Sequence, residues 1–311
     1  IGFAIWAEIP FISVMSKNPK AHQNCIEQMK ELIIQNYNHP SIVTWGISNE
    51  ITIKVTDRED MIKNHKELQA FVKKMDPTRP TTMACYAMCG PFNRVTKITD
   101  IVAWNLYLGW YVPFLWLNDL WIGFYHLIYP NRCLGYSEYG AEGMPNLHSK
   151  KPKRGDNSEE YHTYYHEYML EMFKRFPYMW AHYYWNMFDF AADARNQGGE
   201  PGMNHKGLIT FDRKLKKDVF FLYKAYWNKK DKFVYLAGRR YEYRSDVKQT
   251  ITVYSNLDEV SLYQNGKLVG TKKGQNVFKF DITLEKENKL EVKSGNYADS
   301  CVIHKVDEEP K

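Results

Sequence analysis

Two glutamates stand at the ends of apolar segments that are typical of buried strands, a placement that could support acid–base or nucleophilic chemistry. Glu50 ends the segment SIVTWGISNE, and Glu138 ends CLGYSE. Cleavage of a glycosidic bond needs two carboxyl groups, one to protonate the leaving oxygen and one at the anomeric carbon. A lone glutamate at a strand end is more often part of a surface salt bridge, so the elements that would bring the two residues together decide between these interpretations.

Short apolar runs alternate with helical patterns over the first 228 residues. Apolar residues at three- and four-residue spacing predict amphipathic helices over 20–37, 57–75, 158–176 and 216–227, the second with Asp57 as its N-cap. Strands are predicted over the apolar runs 2–9, 41–48, 81–87, 100–107, 133–139 and 179–188. Strands separated by helices imply parallel pairing through βαβ units.

Two architectures suit such a chain, the open doubly wound sheet and the closed (β/α)8 barrel. No glycine-rich phosphate loop follows any predicted strand, which removes the main support for a nucleotide-binding open sheet. We therefore expect a TIM-type (β/α)8 barrel, in which active residues lie at the C-terminal ends of the strands. Polar or aromatic residues end five of the predicted strands: Glu8, Asn49–Glu50, Asn105–Tyr107, Glu138 and Trp185. Five such ends predict one shared site at the mouth of the barrel.

The pattern changes after residue 228. The segments QTITVYS, EVSLYQ, KLVGTK, VFKFDITL and KLEVKS are short, β-branched and partly alternating, with no helical period. Asn265–Gly266, between two of them, predicts a type I′ hairpin. We predict a catalytic barrel over residues 1–228 and a small all-β, immunoglobulin-like sandwich over 229–311.

Composition excludes several classes of function. Aromatic residues make up 15% of the 311, which suits sugar stacking as well as a large core. The net charge of +6 is modest and the lysines are dispersed, so no nucleic-acid partner is expected. No apolar run approaches the roughly 20 residues of a membrane helix. The five cysteines lack metal-ligand spacing, which predicts free thiols and gives no indication of a metal. Free thiols favour a reducing compartment, the cytoplasm. We expect no organic cofactor, because glycoside hydrolysis requires none.

Five segments, in a fixed order, resemble glycoside hydrolase family 2, which contains β-galactosidases, β-glucuronidases and β-mannosidases. They are NHPSIVTWGISNE, WNLYLGW, SEYGAEG, YYWNMFDF and GLITFDRKLKKDVFFLYKAYW, and the likeness covers almost the whole chain. The resemblance implies that Glu50 is the general acid/base and Glu138 the nucleophile of a retaining, double-displacement mechanism. It also implies that Asn49 binds the sugar 2-hydroxyl, Tyr107 hydrogen-bonds the nucleophile and Trp185 forms a platform under the sugar.

Two substrate classes stay open. Asn204 matches an asparagine that contacts the sugar in family β-galactosidases, whereas Asn204 and Lys206 together form an N-x-K pair of the kind with which β-glucuronidases bind the sugar carboxylate. The segment GLITFDRKLKKDVFFLYKAYW, followed directly by a small β domain, favours a bacterial β-galactosidase. We therefore expect a β-galactoside substrate, with a β-glucuronide as the alternative. A non-catalytic carbohydrate-binding protein is a third interpretation, which the presence of both glutamates disfavours.

The number of predicted barrel strands indicates an incomplete barrel. Six strands are recognised where a closed barrel has eight, and the family's order makes the strand that ends in Glu8 the third. We expect two further strands and the family's N-terminal β domains to precede Ile1. The open edges could be covered by a second copy of the chain in a homo-oligomer. Residues 1–311 alone are then expected to hydrolyse glycosides weakly or not at all.

Overall fold

The computed structural model describes residues 2–51, 53 and 58–309 of the chain. The chain divides into two compact units, one formed by Ile1–Tyr139 with Glu171–Tyr184 and the other by Gly140–Leu170 with Trp185–Lys311. The predicted start of the second helix at Asp57 lies outside the described residues.

A parallel sheet forms the centre of the first unit. In the described part of the chain this sheet has six strands, which neighbour one another in sequence order. The strands are β1 (Ile5–Glu8), β2 (Ile42–Asn49), β3 (Thr81–Tyr86), β4 (Val102–Asn105), β5 (Leu134–Tyr139) and β6 (His182–Tyr184). The α-helices between successive strands are α1 (Pro19–Asn36), α2 (Arg58–Met75), α3 (Leu117–Ile128) and α4 (Glu159–Arg175), whereas two short 3-10 helices join β3 to β4. Sequential parallel strands with intervening helices confirm the predicted barrel-type sheet.

Burial on both faces explains why the inner strands of this sheet are mainly apolar, whereas β1 and β6 at its edges are only partly buried. All four residues of β4 are buried, and so are the first five of β3. A strand covered on both sides is expected to be almost continuously apolar, in contrast to the alternation of a half-exposed strand. Large aromatic side chains fill the interior, and Trp45 and Trp104 are fully buried.

The second unit contains a hairpin, a helix and two packed β-sheets, in which all pairs of neighbouring strands except one are antiparallel. The hairpin is formed by β7 (Phe190–Gln197) and β8 (Glu200–Asn204), and α5 (Asp218–Trp227) follows it. The remaining strands are β9 (Val234–Leu236), β10 (Tyr243–Arg244), β11 (Lys248–Ser255), β12 (Glu259–Gln264), β13 (Lys267–Lys273), β14 (Asn276–Thr283), β15 (Glu287–Ser294) and β16 (Tyr297–Lys305). They pair in the orders β10-β16-β15-β12-β13 and β14-β11-β9, around an apolar core that includes Val253, Leu262 and Phe280. This arrangement confirms the predicted all-β sandwich.

The predicted hairpin lies between β12 and β13. Asn265 has φ 48° and Gly266 has φ 79°, both in the left-handed region that a type I′ turn requires at its two central positions. This turn is therefore confirmed. All five cysteines have free thiols, as their spacing predicts. Among the helices described, none has the length and apolarity needed to cross a membrane.

Candidate active site

Strand β5 ends in Glu138, and a tyrosine from the neighbouring strand holds this carboxylate. Asn105 lies opposite Glu138 in the β4–β5 pairing, and Tyr107 follows two residues after Asn105. The Tyr107 hydroxyl donates a hydrogen bond to Glu138 Oε2 at 2.6 Å. Hydrogen bonds to ionised acceptors are short and strong, so this contact fixes the orientation of the carboxylate. The contact predicted between Tyr107 and the glutamate of the SEYG segment is present.

Glu50 lies in a left-handed turn at the end of β2. Its φ of 51° is uncommon for a residue with a side chain. The Glu50 backbone N–H donates to the Ala84 carbonyl on β3 at 2.8 Å, and its carbonyl accepts from Ile53 N–H at 3.0 Å. Backbone conformations of this kind occur often at functional sites, where the surroundings hold them in place. The turn thus stops the buried strand and presents the carboxyl group at its end.

The surroundings of Glu50 favour its protonated form. Burial raises the pKa of the Glu50 carboxyl above its ordinary value, although a hydrogen bond with Asn105 acts in the opposite direction. Removing a carboxyl group from water disfavours its charged form, which is the property that a general acid needs at neutral pH.

Asn105 connects the two strands that carry the glutamates. Its Nδ2 donates to Asn49 Oδ1 at 3.0 Å, and its Oδ1 accepts from the Ser137 hydroxyl at 2.6 Å. Ser137 directly precedes Glu138, so the chain of hydrogen bonds runs from β2 through β4 to β5. Asn105 is buried and also contacts Glu50. The sequence placed Asn105 at a strand end but gave no indication of this connecting role.

Glu8, at the end of β1, is a third carboxyl group at a strand end of the first unit's sheet. The Trp6 indole N–H donates to Glu8 Oε2 at 3.0 Å. The pKa of Glu8 is raised to about 7, mainly by burial; the Trp6 hydrogen bond lowers it, and the nearby Glu138 carboxylate raises it. The prediction that Glu8 belongs with the strand-end polar residues agrees with this coupling to Glu138.

A glycine on β2 makes room for the Trp6–Glu8 contact. Gly46 lies opposite Glu8 in the β1–β2 pairing. A Cβ at Gly46 would lie 2.1 Å from Trp6 Nε1 and 2.6 Å from Glu8 Oε2, closer than real contacts allow. The glycine in TWGISNE is therefore required by the side chains that cross it.

The other three predicted site residues, Trp185, Asn204 and Lys206, lie in the second unit. The Asn186 N–H donates to the Lys206 carbonyl at 3.3 Å, so the segment that contains Trp185 runs beside the N-x-K segment. Trp185 is 38% exposed, which leaves part of its indole available for stacking. The Asn204 side-chain oxygen accepts from the Lys206 backbone N–H at 3.1 Å. The second unit therefore brings these three residues together.

Lys206 is buried and not at an open surface. Its Nζ lies 2.6 Å from Glu142 Oε1, and both side chains are buried, with exposures of 1% and 0%. The sequence did not single out Glu142, although this residue lies within the SEYGAEG segment. Its partner Lys206 is 64 positions away, and nothing in the local pattern links the two.

Taken together, the first unit carries an acid with a raised pKa, Glu50, and a carboxylate oriented by a tyrosine, Glu138. Acid and nucleophile roles require two carboxyl groups in different environments, and this arrangement supplies them. No group of three or more His, Cys, Asp and Glu side chains within the described ranges could hold a metal ion. The two glutamates can supply acid–base and nucleophilic chemistry.

A barrel-type parallel sheet with glutamates at its strand ends defines a class of glycoside-cleaving proteins. The sequence model for "Glycosyl hydrolases family 2, TIM barrel domain" matches residues 2–230. The chain therefore belongs to glycoside hydrolase family 2, as the resemblance of its segments implied.

Three relatives show which members of the family the chain is similar to. A β-glucuronidase from Bacteroides fragilis is 38% identical over 285 residues, which cover 88% of this chain and 40% of that protein. The crystal structure of an FMN-binding β-glucuronidase from Faecalibacterium prausnitzii L2-6 is 48% identical, with a TM-score of 0.96, and the match covers 99% of this chain and 48% of that one. A Bacteroides fragilis protein provisionally named a β-galactosidase is 34% identical with a TM-score of 0.87, over 97% and 46% of the two chains. The chain spans less than half of each relative.

Proposed function

We propose that the protein is a retaining β-glucuronidase in which Glu50 is the general acid/base and Glu138 the nucleophile. The observation that carries this proposal is the pair of carboxyl groups at the ends of β2 and β5, one with a raised pKa and one oriented by Tyr107. Neighbouring environments that differ in this way suit a proton donor and a nucleophile.

In the first step, Glu138 attacks the anomeric carbon while Glu50 protonates the leaving glycosidic oxygen, which gives a covalent glycosyl-enzyme. In the second step, Glu50 acts as a base on a water molecule, which displaces the sugar from Glu138 and restores both carboxyl groups. Asn49, held by Asn105 through a 3.0 Å hydrogen bond, is the proposed partner of the sugar 2-hydroxyl. Contacts to this hydroxyl strengthen in the transition state.

A glucuronide is proposed in place of the galactoside expected from the sequence. Two of the three relatives are named β-glucuronidases, including the one with 48% identity. The Asn204–Lys206 pair supports the same choice, because a lysine ammonium complements the C6 carboxylate of glucuronic acid. The neutral hydroxymethyl group of galactose offers no such charge. The galactoside stays as the second candidate, supported by the relative provisionally named a β-galactosidase.

Hydrolysis of matched aryl glycosides tests the substrate class. The full-length protein is assayed with p-nitrophenyl glucuronide and p-nitrophenyl galactoside, and we expect the larger kcat/KM on the glucuronide. Lys206→Met should lower kcat/KM on the glucuronide only. Arg240→Met is the control, since Arg240 is also paired with carboxylates, Glu159 and Asp218, and these contacts lie outside the N-x-K segment. A clear preference of the wild type for the galactoside would overturn the choice of sugar and leave the roles of the glutamates in place.

A further inference from the structure

Glu142 is a fully buried carboxylate that neither step of the proposed reaction uses. Its two oxygens accept from different donors: Oε1 from Lys206 Nζ at 2.6 Å and Oε2 from the His205 backbone N–H at 3.1 Å. Burying a carboxylate is costly unless it is paired and hydrogen-bonded, and both conditions hold here. The contacts therefore explain why a charged residue is tolerated at this position.

The glycines on either side of Glu142 fit its segment closely against the N-x-K segment. A Cβ at Gly140 would lie 2.5 Å from the Trp185 carbonyl oxygen and 3.7 Å from Cδ of Lys206. The Gly143 N–H donates to the His205 carbonyl at 3.1 Å. The backbone on both sides of Glu142 is thus fixed, and the carboxylate has little freedom to follow a displaced lysine.

From these contacts we infer that Glu142 is a positioning residue, which holds the Lys206 ammonium where it can bind the carboxylate of the sugar. This inference rests on the proposed glucuronidase function and adds a determinant of its specificity. Glu142 Oε1 accepts from Lys206 Nζ at 2.6 Å, which fixes the end of the lysine side chain. The long, flexible lysine side chain otherwise has considerable rotamer freedom, so an orienting partner makes its contribution to selectivity larger.

Substitution by glutamine separates positioning from simple filling of space. Glutamine has the shape of glutamate, but an NH2 donor replaces one of the two oxygens, so either the Lys206 ammonium or the His205 N–H would face a donor. We expect Glu142→Gln to lower kcat/KM on p-nitrophenyl glucuronide by about 10- to 100-fold, mainly through KM, since a misplaced binding group of this kind commonly costs up to about 100-fold. The kcat/KM on p-nitrophenyl galactoside should stay close to that of the wild type. Glu142→Asp, which keeps both acceptors, should recover part of the loss.

Glu159→Gln is a matched control. Glu159 is a buried carboxylate of the same unit, paired with Arg240 and accepting from the Asp218 N–H at 2.8 Å. Both of these partners lie outside the N-x-K segment. Any general weakening of the fold should lower activity on both glycosides in this variant, without a change in the ratio of the two kcat/KM values. Thermal unfolding of each variant shows how much of an activity loss comes from stability.

Two outcomes would overturn the inference: equal losses on both glycosides in Glu142→Gln, or no loss on either. If the wild type does not hydrolyse glucuronides, the proposed function fails, and the crystal structure of Glu142→Gln then tests the positioning role by itself. Displacement of Lys206 Nζ in that structure would support the role, and an unmoved lysine would refute it.

Discussion

Glu8 should make the stability of the first unit depend on pH, and Glu8→Gln should remove that dependence. The pKa of Glu8 is raised from 4.5 to about 7 in the folded chain. Each pKa unit corresponds to about 1.4 kcal/mol, so ionised Glu8 destabilises the fold by at most about 3 kcal/mol. Glutamine keeps an oxygen that can accept from the Trp6 indole N–H and carries no charge at any pH.

The direction of the pH dependence follows from whether the folded or the unfolded chain binds the proton of Glu8 more tightly. Because the folded pKa of this acid lies above the unfolded value, the folded chain holds the proton between pH 4.5 and about 7, and stability falls as pH rises through that window. The cost is fully present above the folded pKa. Glu8→Gln should therefore stabilise the protein by about 3 kcal/mol near pH 8 and by about 1 kcal/mol or less near pH 5.

Urea unfolding of the wild type and Glu8→Gln at these two pH values measures the difference. Glu31→Gln is the control, because it removes a glutamate from the exposed face of α1. The control should show no comparable gain that grows with pH. Destabilisation by Glu8→Gln near pH 8, or an equal gain at both pH values, would refute the reasoning.

Two further predictions concern β2 and the turn that follows it. Glu50→Gln should depress hydrolysis strongly for glycosides with poor leaving groups and less for activated aryl glycosides, which need little protonation; equal losses in kcat/KM would contradict the acid role. Gly46→Ala places a Cβ within 2.1 Å of Trp6 Nε1. It should therefore destabilise the protein by about 1–3 kcal/mol in urea unfolding, and a neutral effect would show that Trp6 can move aside.

The sequence predicted the strands of the first sheet and the positions of Glu50 and Glu138 at strand ends, because burial leaves a strong signal. A strand covered on two faces must be apolar along its length, so polar residues at its end are conspicuous. Every observed strand of this sheet overlaps its predicted segment, although β1, β4 and β6 are shorter than predicted. The type I′ turn was equally predictable from the sequence, since few residues other than Asn and Gly tolerate its conformation.

Helix α3 was not predicted because its sequence, LNDLWIGFYHLI, has little polar face to reveal a helical period. Leu120, Phe124 and Leu127 are more than half exposed, so apolar residues lie on its outer side as well. The roles of Asn105 and Glu142 could not be predicted for a different reason. Each role depends on partners that the fold brings together from distant parts of the sequence. No residue spacing in the sequence indicates such a contact.

Covalent labelling tests the central claim, that Glu138 is the nucleophile of a retaining reaction, most directly. The full-length protein is incubated with a 2-fluoro glucuronide that carries an activated leaving group, and the labelled peptide is identified by mass spectrometry. The fluorine slows release of the sugar, so the glycosyl-enzyme should accumulate on Glu138. Glu138→Gln should abolish both labelling and turnover. A label on Glu50, Glu8 or any other carboxylate would contradict the account.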